Sequence, residues 1–322
     1  MTPNLERLTS PTTSLLQAIS IVDETTVWIS GHQGSFVRSA DAGKSWELFQ
    51  HPTGDTLQFR DIHAFSESKV ILMSAGPGAL SRMFTFVAPD SWEENFVMAD
   101  PLGFLDCIDF WDDQNGIAYG DAIDNYPYIL LTSDGGQSWK RADTTQMPFA
   151  GKGEGGFAAS GTCVTTGEDG KAWIATGAGG SARIILTEDY GKTWNAIESP
   201  LVKGDAAGNT SISMIGNVGL VTGGDLTKPE EYSDNCAFTF DSGNQWSLAS
   251  QPKTKGAFYG GALARAGDDY FAFVCGPKGI DYSSNFGESW ENLDTLNYWA
   301  VSFAGKVGYA SGTGGKISKI KF

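Results

Sequence analysis

Apolar runs of four to eight residues, separated by glycine and polar turn residues, recur along the whole chain. This is the signature of short β-strands, not of helices, which would show a 3.6-residue period. The first set runs Leu15 to Ile21, Thr26 to Ser30, Ser35 to Ser39 and Trp46 to Phe49. Its second and third strands are joined through Gly31 and Gly34, where a positive φ costs little. The set then restarts. The glycine hairpin between second and third strands can be aligned in seven copies: WISGHQG, LMSAGPG, IAYGDAI, IATGAGG, LVTGGDL, FVCGPKG and YASGTGG. A unit of several strands repeated at this spacing predicts an array of blades. The seventh copy stops before a fourth strand. Residues 4 to 10, in LERLTSPTTSLLQAI, align as an outer strand leading into an inner one, as WELFQHPTGDTLQFRDI does later. The prediction is therefore all-β: a seven-bladed β-propeller of four-stranded antiparallel blades over residues 1–322, one domain. Its ring closes by the N-terminal strand pairing into the last blade, which removes the open edges of a linear array.

A second repeat joins third strand to fourth. SADAGKSW, TSDGGQSW, TEDYGKTW, TFDSGNQW and SSNFGESW end at Trp46, Trp139, Trp194, Trp246 and Trp290, and a worn copy, TFVAPDSW, ends at Trp92. An Asp or Asn can accept the N–H groups of its own tight turn, the Gly can take a left-handed conformation, and the flanking hydroxyls cap the remainder. The Trp can bury its ring between hairpins. Asp41, Gly43 and Trp46, Asp134, Gly136 and Trp139, Asp189, Gly191 and Trp194, Asp241, Gly243 and Trp246, and Asn285, Gly287 and Trp290 are thus assigned to architecture. One carboxylate per turn is too few for a calcium site.

The phrase resembles the Asp-box of bacterial neuraminidase repeats. The fuller pattern, an apolar strand followed by VWISGHQGSFVRSADAGKSW, resembles the propeller of the photosystem II stability and assembly factor family and its bacterial relatives. The resemblance covers nearly the whole chain and implies a propeller. For function it implies a range, since the same turn occurs in sialidases, glucanases, sorting receptors and assembly factors.

Composition narrows that range. Forty-one glycines, 12 prolines and only 19% charged residues fit many short strands and turns. A net charge of −16 would repel a phosphate backbone, so nucleic acid is not expected as a partner, and no stretch is apolar for the length of a membrane span. MTPNLERLTS has neither a basic start nor an apolar core, which predicts a cytoplasmic chain, or a periplasmic or secreted one whose leader has been removed. Cys107, Cys163, Cys236 and Cys275 lack metal-ligand spacing and lie in apolar runs. Buried free thiols are expected of all four, with a Cys236 to Cys275 bridge as the alternative; no metal or cofactor is expected.

In a propeller the links into each inner strand, and those between second and third strands, line one face, and here they vary from blade to blade. That face is predicted to carry His32, Arg60, Phe104, Asp106, Glu154, Phe157, Tyr259, Tyr298 and Trp299. Aromatics with a few charges suit either a ligand site or a plugged channel mouth. GKGEGGFAASG, 151–161, is read as a loop into the fourth blade, and DLTKPEEYSDN, 225–235, as an acidic insertion on the same face.

Two functions follow. The first is a non-catalytic binding or assembly scaffold, monomeric, presenting the variable face to a protein or peptide. The second is a carbohydrate-binding protein or glycoside hydrolase using the same face. A sialidase would need three convergent arginines. Arg38, Arg82 and Arg183 fall on third strands, Arg141 on an outer strand and Arg265 on the far side, which leaves Arg60 alone at the site. General glycoside hydrolysis needs two carboxylates, for which Asp61, Asp106 and Glu154 are available.

Overall fold

The computed structural model describes residues 2–322. It contains seven four-stranded antiparallel sheets, each built from strands in the same inner-to-outer order. The inner strands are Leu16–Ile21, Phe59–Ala64, Leu105–Phe110, Val164–Thr166, Ala207–Ile215, Gly260–Ala266 and Tyr298–Ala304. Successive blades pack through one apolar cluster each, and the seventh cluster, with Leu16, Ile29, Tyr309 and Ile317, joins blade seven back to blade one. Second strands are buried on both sides, so they read as near-continuous apolar runs, as in Val27–Gly31, whereas the outermost strands are largely exposed.

Blade seven is completed from the other end of the chain. Asn4–Leu8 pairs antiparallel with Ile317–Lys321 in a continuous register from Asn4 opposite Lys321 to Leu8 opposite Ile317. The closing strand is shorter than the predicted 4 to 10 because the chain turns at Ser10, whose hydroxyl donates to the Thr12 carbonyl and accepts from its N–H.

Inner strands of adjacent blades form no backbone ladder, and apart from Ile212 N–H, which donates to the Thr162 carbonyl, their N–H groups need other acceptors. Side chains supply them. Ser20 accepts from Ala64 N–H at 2.9 Å, Asp61 from Ile108 N–H at 2.6 Å, Asp109 from Thr166 N–H at 2.8 Å, and Ser211 from Gly261 N–H at 3.0 Å.

The cysteines depart from expectation. Cys107, on the inner strand of blade three, is bonded to Cys163, just ahead of the inner strand of blade four, with Cα atoms 5.9 Å apart. The pair is cross-linked, not free, because neighbouring inner strands bring equivalent repeat positions side by side. Cys236 and Cys275 are the buried free thiols and do not pair; burial pushes both thiols well above their usual range.

The repeated phrase folds the same way in five blades. Asp41 Oδ1 accepts from Ser45 N–H at 2.9 Å, its Oδ2 from the Ser45 hydroxyl at 2.6 Å, and the Ser39 hydroxyl oxygen accepts from Gly43 N–H at 2.8 Å. Asp134, Asp189, Asp241 and Asn285 repeat the bond to the N–H four residues on. These bonds to the ionised form hold the Asp41 and Asp134 carboxyls at about 2, through Ser45 and Ser138 first. The indole N–H of Trp139, Trp194 and Trp246 donates to the carbonyl of the phrase glycine, while that of Trp290 donates to Ser250 in the preceding blade. No helix among the described residues is long and apolar enough to cross a membrane.

Candidate functional site at the channel mouth

Five inner strands carry a bulge at the same place, where the register slips by one between Leu16 and Ala18, Phe59 and Asp61, Leu105 and Cys107, Asn209 and Ser211, and Tyr298 and Ala300. The extra residues are Gln17, Arg60, Asp106, Thr210 and Trp299. A bulge re-aims a side chain out of the regular alternation: Gln17 and Arg60 reach the Ala158 carbonyl, Asp106 lies against Gly156, Trp299 packs on Tyr259, and the buried Thr210 hydroxyl donates to the Thr222 and Phe258 carbonyls. Arg60, Asp106 and Trp299 were among the expected residues. Gln17 and Thr210 were not, although aligning the repeats as Leu-Gln-Ala, Phe-Arg-Asp, Leu-Asp-Cys, Asn-Thr-Ser and Tyr-Trp-Ala marks both.

The glycine-rich segment 151–161 does more than lead into blade four. It enters the ring and closes the mouth. The Ala158 carbonyl accepts from Gln17 Nε2 at 2.9 Å and from an Arg60 guanidinium N–H at 3.2 Å, and the Ser160 hydroxyl donates to the Tyr259 carbonyl at 2.7 Å. Blades one, two and six thereby hold one loop. Its glycines are required by space: a Cβ on Gly161, which has φ +67°, would collide with the Asp61 carboxylate, and one on Gly156 with that of Asp106.

Glu154 is the anchor of this plug, and its surroundings differ from expectation. It is 2% exposed and forms an ion pair with Arg183 at 2.6 Å, while Thr176 Oγ1 and Gly151 N–H donate to it, each at 2.6 Å. Arg183 begins a third strand at this face, so its guanidinium reaches the plug. Arg60 is not alone there. Asp106 is 1% exposed, and one of its carboxylate oxygens has no partner among the described residues. Burial raises its pKa well above the carboxylate range, with repulsion from Asp121 adding to the rise and Arg60 opposing it. Asp61 is buried, and burial raises it likewise against the bonds from Ile108 and Ile62.

Tyr298 also departs from expectation. It is the residue before the bulge, so its ring points into the interface of blades six and seven, and its hydroxyl donates to Asp294 at 2.8 Å and meets the Ser318 hydroxyl at 2.9 Å. Phe104 is half-buried in the interface of blades two and three, and Phe157 is half-buried against Gly177. His32 contacts Gln17 at 2.8 Å, and its pKa is lowered by burial and by Arg60. Tyr259 and Trp299 form an edge-to-face pair with centroids 4.7 Å apart, and both rings are half-buried.

Beneath the plug the channel remains open from the opposite face. A hollow of about 280 Å³ is lined by Ser20, Asp109, Thr165, Ser213 and His63, whose Nδ1 lies 3.4 Å from Asp109 Oδ1. The His63–Asp109 pair was not assigned a place from sequence, since nothing in either residue's spacing links them.

The buried carboxyls set a pH dependence. A carboxyl whose pKa is higher in the folded chain than in the unfolded one binds more protons when folded between those two values, so stability falls as pH rises through that interval. Asp61 and Asp106 are therefore expected to contribute a fall in melting temperature as pH rises above about 4, opposed nearer 6.5 by the lowered pKa of His32, and Asp106→Asn is expected to reduce that fall. A variant with the same slope as the parent would show that Asp106 is ionised in the folded protein.

No protein-family model matches this sequence, and no curated protein does. Solved structures do match. YCF48 bound to D1 peptide has a TM-score of 0.68 at 15% identity, covering 99% of this chain and 97% of that one. YCF48 from Cyanidioschyzon merolae has a TM-score of 0.67 at 16% identity, covering 99% of each chain. Virginiamycin B lyase from Staphylococcus aureus has a TM-score of 0.72 at 15% identity, covering 100% of each. Similarity at this level of identity concerns the fold, a seven-bladed β-propeller.

Proposed function

We propose that the chain acts as one unit, residues 1–322, and is a non-catalytic scaffold whose variable face binds a protein or peptide. The observation that carries this reading is the spending of charge on closure. Arg60 holds Ala158, and Glu154 is neutralised by Arg183. The carboxylates that a hydrolase would need are thus buried or ion-paired, and the mouth is sealed by backbone. A closed face with an aromatic pair suits a macromolecular surface better than a small substrate, which needs a concave pocket. Tyr259 and Trp299 supply the rigid anchors typical of such contacts. Peptide binding by a propeller of this shape has a precedent in YCF48 bound to D1 peptide, and the repeated phrase and its resemblance to the assembly-factor propeller point the same way.

Selection of peptides from a displayed library against the immobilised protein tests the proposal. Trp299→Ala is expected to weaken a selected peptide about thirtyfold, about 2 kcal/mol by the behaviour of buried aromatic anchors, at an unchanged melting temperature. Turnover of a chromogenic glycoside or sialoside by the purified chain would overturn the non-catalytic reading.

A further inference from the structure

The seam where the ring closes gathers positive charge in a chain that is acidic as a whole. The sequence has 22 basic residues against 38 acidic. Yet a hollow of about 500 Å³ at the junction of blades seven and one is lined by Arg7, Lys44, Lys319 and Lys321, with Glu6 as the one acid. Both termini of the chain and the first repeated phrase meet here, so residues remote in sequence build it.

The negative groups nearby are already engaged. Glu6 pairs with Lys321 at 3.1 Å. Asp41 spends both carboxylate oxygens on Ser39 and Ser45. Arg7 directs its guanidinium to Asp294, at 3.3 Å. Lys44 has no ion-pair partner among the described residues. Lys319 is 7% exposed, and its ammonium donates to the Ala42 carbonyl at 2.6 Å and lies over the Tyr309 ring. A nearly buried cation whose only hydrogen-bond partner is a neutral carbonyl is costly unless an anion compensates it. Burial, and then the proximity of Lys321, lowers its pKa.

A second observation points the same way. The Tyr309 hydroxyl is buried and has no hydrogen-bond partner among the described residues. It sits behind Gly43, which lines the hollow, at 3.3 Å from the position a Cβ on that glycine would take. The absence of a side chain at Gly43 leaves this donor just behind the wall of the hollow, on the ring that the Lys319 ammonium overlies. Orphaned buried donors in a folded protein call for an acceptor.

We propose that this seam hollow binds a compact, multiply charged oxyanion of the phosphate class, held by Lys44 and Lys319 with the Tyr309 hydroxyl as a further donor. Ammonium groups act as convergent point charges, which suits an anion bearing charge on every oxygen, whereas the one planar guanidinium here is occupied by Asp294. Because Lys319 and Lys321 lie on the third strand of blade seven, Arg7 on its fourth and Lys44 in blade one, the bound anion ties the closure together and stabilises the folded ring by mass action. The site is separate from the variable face, so its outcome is independent of peptide binding there.

The test is calorimetric titration of the intact chain with inorganic pyrophosphate at constant ionic strength, accompanied by melting curves. Saturable binding and a rise in melting temperature are expected. Lys44→Met and Lys319→Met should each weaken binding at least tenfold, while Lys140→Met, on the outer strand of blade three, leaves it unchanged. Tyr309→Phe should weaken binding several-fold without lowering the melting temperature of the free protein, which separates a ligand contact from a structural role. No saturable heat, or affinity indifferent to Lys44→Met, would overturn the site, and equal affinity for citrate would overturn the assignment to the phosphate class.

Discussion

Removal of the first twelve residues is expected to lower the melting temperature by roughly 10 °C, on the scale that relates unfolding entropy to chain length. The deletion strips Asn4–Leu8 from the whole length of its partner Ile317–Lys321. Leu5 leaves the cluster between blades six and seven, and Leu8 leaves the cluster between blades seven and one. Arg7 also loses its contact with Asp294 on the outer strand of blade six. Five residues of ladder hydrogen bonds at about 1 kcal/mol each, and two partly buried leucines at about 1 kcal/mol each, bring the loss to about 7 kcal/mol. That is a large share of the ~5–15 kcal/mol available to a folded domain. The exposed edge of Ile317–Lys321 would then offer unpaired N–H and C=O groups to other chains, so concentration-dependent aggregation is expected alongside the lower transition. A peptide of residues 1–12 added in trans should restore part of the loss. A melting temperature equal to the parent's would mean that closure contributes nothing to stability.

The fold was legible because a propeller writes the same physical demands once per blade. Each second strand is buried on both sides, most second-to-third links carry glycine, and five third-to-fourth turns use an acceptor and a left-handed residue, so the repeats could be counted and the missing strand traced to the N-terminus. The contents of the mouth were legible only in part. Arg60, Asp106 and Trp299 were found as side chains on the right face, but their roles depend on residues far away in sequence: Ala158 for Arg60, Asp121 for Asp106, Tyr259 for Trp299. Glu154 reads as a free carboxylate in a glycine-rich loop until Arg183, on the third strand of the next blade, is seen to reach it. Tyr298 and Trp299 are neighbours in sequence, and only the bulge between Tyr298 and Ala300 decides which of them faces the mouth. The cysteines failed for a related reason. Local spacing carries no sign of a bridge, because Cys107 and Cys163 are joined across one blade interface, 56 residues apart.

That bond supports the second large effect. Reduction of Cys107–Cys163, or its replacement by a Cys107→Ser, Cys163→Ser pair, is expected to cost about 4 kcal/mol from the loop-closure entropy of a chain segment of this length. The bridge encloses the outer strands of blade three and the whole plug segment, since Cys163 follows directly on residues 151–162. Without it, the end of the plug nearest blade four is held by the Ser160 and Thr162 hydroxyls and by Thr162 O accepting from Ile212 N–H at 2.8 Å. Proteolysis within 151–161 should therefore quicken on reduction, ahead of global unfolding, because a loop freed at one end opens locally at lower cost. Thiol titration of the denatured protein gives a direct count: the oxidised chain should release two reactive thiols, from Cys236 and Cys275, and the reduced chain four. Four thiols in the chain purified without reductant, or a melting temperature indifferent to reductant, would show that blades three and four are held by packing alone.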